Sequence, residues 1–149
     1  MRLWRVSRFE TLDGLGGLFA SARWHTQGRR IVYCAPNPAT ALLELLVHSE
    51  VTDPRALTGF SFLKIEVPDE IRPERVDERQ LSADWPSRAE VTRAWGDRWL
   101  AEARSLLLEV RCVIVPDTYN VLINPLHPDL KRVRIDAVVP YTLDARLTG

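Results

Sequence analysis

Residues 30–48 read RIVYCAPNPATALLELLVH. The opening RIVYC is a short β-rich run. Asn37 followed by Pro38 is then a helix N-cap with proline at the first helical position, where a missing N–H leaves nothing unpaired and the fixed φ suits the helix. The pattern predicts a helix over residues 38–49. In it Glu44 is the lone acid among Leu42, Leu43, Leu45 and Leu46. At 100° per residue Thr40, Glu44 and His48 fall on one stripe and the leucines spread over most of the rest. The helix is therefore expected to be largely buried, with one narrow polar edge. That edge either faces water, making Glu44 an ordinary surface acid, or lines a cleft.

Outward from this stretch, residues 3–6 read as a first strand, and Gly14, Gly16 and Gly17 break the pattern into a flexible loop able to close over something. Residues 60–67 alternate like a half-buried strand and stop at Pro68-Asp69, and residues 72–86 are polar and proline-punctuated, an irregular connection. From Ser87 the spacing of Val91, Ala94, Trp95, Trp99 and Leu100 fits a second helix reaching about Ala103, slightly weakened by Gly96. Residues 110–115 and 119–123 are β-rich runs separated by Pro116-Asp117-Thr118, and residues 135–141 make a last strand. Strands and helices do not alternate strictly, which favours an α+β fold with a mixed β-sheet core over a doubly wound sheet. With 149 residues and 46% hydrophobic content, one compact domain spanning residues 1–149 is expected.

Twenty basic residues balance twenty acidic ones, so no global positive field is available to hold a nucleic-acid backbone. Lysine stands only at Lys64 and Lys131, which leaves eighteen arginines, the cation suited to planar, bidentate contacts with carboxylates and phosphates. Cys34 and Cys112 are far apart and lack CxxC spacing, which argues against a disulfide framework or a zinc ribbon and for a reducing compartment. The N-terminal MRLWRVSRFE has no apolar signal-like core, and no run approaches the roughly 20 apolar residues of a membrane helix. A soluble, cytoplasmic protein without membrane contact is the expectation.

Residues 23–33, RWHTQGRRIVY, gather three arginines, a histidine and two aromatics around Gly28. Arginine clamps a pyrophosphate through paired N–H donors and an aromatic ring stacks a flat heterocycle, so a dinucleotide would find partners here, although a basic surface loop with a core aromatic reads the same. His25, His48 and His127 sit in separate contexts without metal-ligand spacing, so no metal is expected. Cys112, inside the apolar run 110–115, reads more as a small core residue than as a nucleophile. No nucleophile elbow, Walker or Rossmann pattern occurs.

Taken together, Leu3-Trp4-Arg5-Val6, Ala22-Arg23-Trp24 with Gly28, Ile31-Val32-Tyr33, Ala41-Leu42-Leu43-Glu44, residues 110–116 and the segment YNVLINPLHPD at 119–129 resemble, in order and spacing, the RES family of bacterial toxins that pair with Xre-like antitoxins. The resemblance implies a fold similar to ADP-ribosyltransferases and an enzyme that degrades NAD or transfers ADP-ribose to a protein. It implies catalytic roles for Arg23, Tyr33 and Glu44, and substrate contacts from Trp4, Arg5 and Cys112. Cys112 falls where the family carries serine, and Ser21-Ala22 where glycines are common. NAD is then a substrate and no prosthetic group is needed. The implied partner is an Xre-like antitoxin protein, within a homodimer or larger toxin–antitoxin complex.

The residue types fit that chemistry. The nicotinamide–ribose bond already has a cationic leaving group, so the main need is a carboxylate beside an oxocarbenium-like ribosyl centre. Glu44 would stabilise that charge or hold a ribose hydroxyl, Arg23 would anchor phosphate and Tyr33 would stack the nicotinamide. The acceptor, whether water, phosphate or protein, is left open. So are a protein ADP-ribosyltransferase, a binding-only toxin and a ribonuclease using His, Arg and Tyr, the last disfavoured by the neutral charge and unpaired histidines.

Overall fold

A computed structural model describes residues 1–48 and 56–148. In chain order the elements are β1 (Arg2–Ser7), β2 (Val32–Cys34), α1 (Pro38–His48), β3 (Phe60–Glu66), β4 (Glu74–Arg75), α2 (Ala89–Glu102), β5 (Leu107–Arg111), β6 (Tyr119–Ile123) and β7 (Arg134–Tyr141), with short 3-10 turns between them. The strands form two sheets. One is antiparallel in the order β1-β3-β7. The other runs β2-β6-β5-β4, antiparallel except for β4, which lies parallel to β5 at its edge. The fold is α+β, as the irregular order of elements predicts.

Period-2 alternation divides the second sheet between two cores. Val32, Cys34, Leu107, Val121 and Ile123 join Leu3, Leu63 and Ile65 of the first sheet in one buried cluster. Leu108, Val110 and Leu122 join Trp24, Trp85 and Trp99 in another. Each such fully buried apolar side chain contributes about 1.5–3 kcal/mol relative to exposure. Trp4 and Ala35 exchange backbone hydrogen bonds of 2.9 and 2.8 Å, linking β1 to the end of β2. This link brings β1 beside the second sheet.

Several expectations are corrected. The strand expected at residues 110–115 is β5, which starts at Leu107 and ends at Arg111. The apolar stretch 106–115 is longer than the strand it contains, and Cys112 N–H bonds Thr118 O at 2.8 Å to close a loop in which Val113 is exposed. The connection at 72–86 is not wholly irregular, since it holds β4 and two 3-10 turns. The glycine segment is not a free flap. Leu15–Leu18 is a 3-10 turn, Gly14 has φ +68°, and a Cβ on Gly17 would run into the Arg29 carbonyl. Gly96, read as a weak point of α2, lies where a Cβ would strike the Trp24 carbonyl, so glycine is what allows α2 to pack there. Helix α1 begins as expected, with Thr40 N–H donating to the Asn37 side chain at 2.8 Å. It is less buried than its leucines suggest, because Thr40 and Ala41 are its buried residues and the leucines at 42, 43, 45 and 46 are half-buried. Its expected last residue, Ser49, lies outside the described residues.

Candidate active site

A cleft of about 430 Å³ opens between β1, α1, the face of the second sheet and the segment that precedes β2. Trp4, Arg5, Arg23, Tyr33, Glu44 and Cys112 all line it. Of the two readings of the polar edge of α1, the structure shows the cleft. Glu44 is 23% exposed and turned toward the second sheet.

Among the described residues, three side chains hold the Glu44 carboxylate. Asn120 Nδ2 donates to Oε1 at 2.6 Å and Cys112 Sγ donates to the same oxygen at 3.3 Å. His48 Nε2, one helical turn on, lies 3.1 Å from Oε2 and is 65% exposed. Burial first, and the nearby Glu44 carboxylate in addition, push the Cys112 thiol up, which keeps it an S–H donor rather than a thiolate. Cys34 is driven to about 12 by burial, so it is an inert core thiol.

Across the cleft, Tyr33 on β2 is pinned at its hydroxyl. It accepts from Trp24 N–H at 3.2 Å and lies 2.8 Å from His25 Nδ1. His25 Nε2 faces the Gly17 carbonyl at 3.3 Å. A carbonyl only accepts, so Nε2 carries the proton and Nδ1 accepts from the Tyr33 hydroxyl. Burial lowers the pKa of His25 and raises that of Tyr33, so both stay neutral around pH 7 and the pair orients the Tyr33 ring without carrying charge. The backbone carbonyl of Arg23 accepts from Thr92 Oγ1 of α2, and its guanidinium donates to Pro86 O at 2.9 Å. Arg93 of α2 reaches the Ala22 carbonyl at 2.7 Å. Helix α2 therefore fixes the loop that presents Arg23. Arg5 adds a second guanidinium whose buried Nε has no partner among the described residues.

Asn120 and His25 were given no role by the sequence reading. Asn120 carries a signal in hindsight, since it shares a strand face with core Leu122, where alternation expects an apolar residue. His25 carries none beyond its place among the aromatics. The arrangement offers a fixed carboxylate on one side of a mostly apolar cleft, with guanidinium groups and an oriented aromatic ring around it. A flat, anionic ligand with a centre that becomes cationic suits it chemically.

The RES domain model matches residues 2–144. The chain is 41% identical over 147 residues to "Toxin Res" of Pseudomonas putida, covering 99% of each. It is 34% identical to the "Prs ADP-ribosylating toxin" of a Sphingobium species, covering 96% of this chain and 90% of that one. A further "Toxin Res", from Photorhabdus laumondii, is 33% identical with 99% of this chain and 97% of that one covered. With this match spanning nearly all of its length, the chain belongs to the RES domain family of toxins.

Proposed function

We propose that this protein is a toxin that cleaves the nicotinamide–ribose bond of NAD, with Glu44 as the carboxylate that faces the developing ribosyl cation. The observation that carries the reading is the Glu44 carboxylate, held by Asn120 on β6 and by Cys112 just beyond β5 in the cleft that Arg23, Tyr33, Arg5 and Trp4 also line. The leaving nicotinamide departs neutral, so no acid is required at the leaving group. Oxocarbenium-like charge builds on the ribose C1′ and a fixed anion nearby lowers that barrier. Arg23 and Arg5 supply N–H donors for the pyrophosphate, while the Tyr33 and Trp4 rings supply flat surfaces for the nicotinamide. Water or phosphate takes the ribosyl centre. The names of the relatives support a toxin; growth arrest and restraint by an antitoxin protein of the Xre-like kind are our expectation.

A second reading, transfer of ADP-ribose to a protein, is favoured by the printed name of the Sphingobium relative and uses the same first step. Incubation with NAD, with and without phosphate, followed by quantifying nicotinamide, tests the proposal. Release of nicotinamide without any protein acceptor is expected. No release, with or without phosphate, would overturn the reading, and release only when a protein acceptor is added would move the chain to the second one.

A further inference from the structure

We infer that Asn120 is the positioning residue of this site, fixing the Glu44 carboxylate by its amide donor so that one oxygen is anchored to the sheet and the other is left for the substrate. For the activity, this rests on the NAD reading above.

A glutamate has three rotatable side-chain bonds, and one on a half-buried helix would sample several positions unless held. The hydrogen bonds to Glu44 are unequal. His48 is exposed, sits on the same helix and competes with water for Oε2. Asn120 belongs to β6, paired through Val110 to β5, and its 2.6 Å bond to Oε1 is partly buried and spans 76 residues of sequence. Cys112 reaches the same Oε1 with the weaker S–H donor. Asn120 on β6 and Cys112 just beyond β5 thus converge on one oxygen, and among the described residues Oε2 has the exposed His48 as its partner, which solvent readily replaces. Because a carboxylate is acceptor-only, the amide must present Nδ2 to Glu44, which leaves Oδ1 buried without a partner among the described residues. A backbone-mounted amide that gives up its own acceptor to hold a carboxylate is oriented for that carboxylate.

Asn120→Asp turns this into a test with a pH signature. The two carboxyls would sit within hydrogen-bond distance, and with one proton shared between them the pair has the charge and the donor–acceptor pattern of the native pair. When that proton leaves, two anions face each other and the apparent pKa of the pair is raised. The other ionisable groups around the cleft are His48 on α1, Cys112, Cys34, Arg5, Arg111, Arg23 and the neutral His25–Tyr33 pair. They are the same residues in both proteins, and His48 and Cys112, which bond Glu44 directly, are the two whose interaction with the pair changes in the variant. The variant is expected to approach native kcat near pH 5 and to fall at least about tenfold below it at pH 8, with KM for NAD changing less than kcat. Because the folded pair holds its proton to higher pH than the unfolded chain does, the stability of the variant relative to the native protein drops as pH rises. Its melting temperature should match within about a degree at pH 5 and lie several degrees lower at pH 8. Adding Glu44→Gln to Asn120→Asp should remove that pH-dependent gap. A variant whose pH–rate profile and melting gap run parallel to the native protein, or a gap that survives Glu44→Gln, would overturn the assignment. If the native protein releases no nicotinamide, the NAD reading fails, and the melting arm still decides whether Asn120 holds Glu44.

Discussion

The two helices invert what their sequences suggest. Helix α1 is dense in leucine, yet its buried residues are Thr40 and Ala41. Helix α2 is far more polar, yet it buries Thr92, Gly96 and Trp99, the last with no exposed surface at all. Burial follows close approach rather than apolar count. Gly96 lets the axis of α2 reach the Trp24 backbone, and Thr92 and Arg93 bond the carbonyls of the Arg23 loop. Helix α1 packs against β1 with small residues near its start and carries Glu44 further along, above the cleft. One helix sets the frame, and the other brings the Glu44 carboxylate to it.

That division predicts opposite outcomes for substitutions on the two helices. Glu44→Gln should keep its melting temperature within a degree or two, because the amide oxygen still accepts from Asn120 and Cys112. Its NAD turnover should fall at least about 100-fold, since the charge facing a cationic transition state is gone. A folded Glu44→Gln variant with native turnover would show that α1 carries no chemistry. On α2, Gly96→Ala gains helix propensity but forces a methyl group into the Trp24 carbonyl, so a net loss of about 1–3 kcal/mol in denaturant unfolding is expected. Equal or greater stability would mean that α2 is not seated as tightly as described.

The smallest effect sharpens the boundary between scaffold and site. Cys112 is buried just beyond the end of β5 yet donates to Glu44. Cys112→Ser places a stronger donor in nearly the same volume and should keep or raise turnover, while Cys112→Ala should lower it a few-fold. If serine instead proves less stable than alanine by about 1–3 kcal/mol and no more active, the residue belongs to the core alone. Turnover and unfolding midpoint, measured on both variants, separate the cases.

The sequence was most legible where one local rule dominated. The Asn37-Pro38 cap located the start of α1, alternation located β3, a β-rich run located β6, and a lone acid on a leucine-rich helix drew attention to Glu44. It was least legible where tertiary contacts decide. Two-residue β4 has no pattern of its own and exists because β5 lies beside it. The apolar run across 106–115 hides where β5 stops, because the loop after it uses valine and isoleucine as a strand would. The partnership of Asn120 with Glu44 links residues 76 positions apart, which no local window registers.

The sheet order β1-β3-β7 also has a consequence for biosynthesis. The central strand β3 borders β1, made before it, and β7, made near the end of the described chain. While the ribosome is still translating residues 124–133, every strand of the second sheet exists, but one edge of β3 still lacks its pairing partner. Long-range pairings of this kind form late, after the loop entropy between them has been overcome. The wall that carries Trp4 and Arg5 is therefore complete only once β7 has been made and has paired with β3.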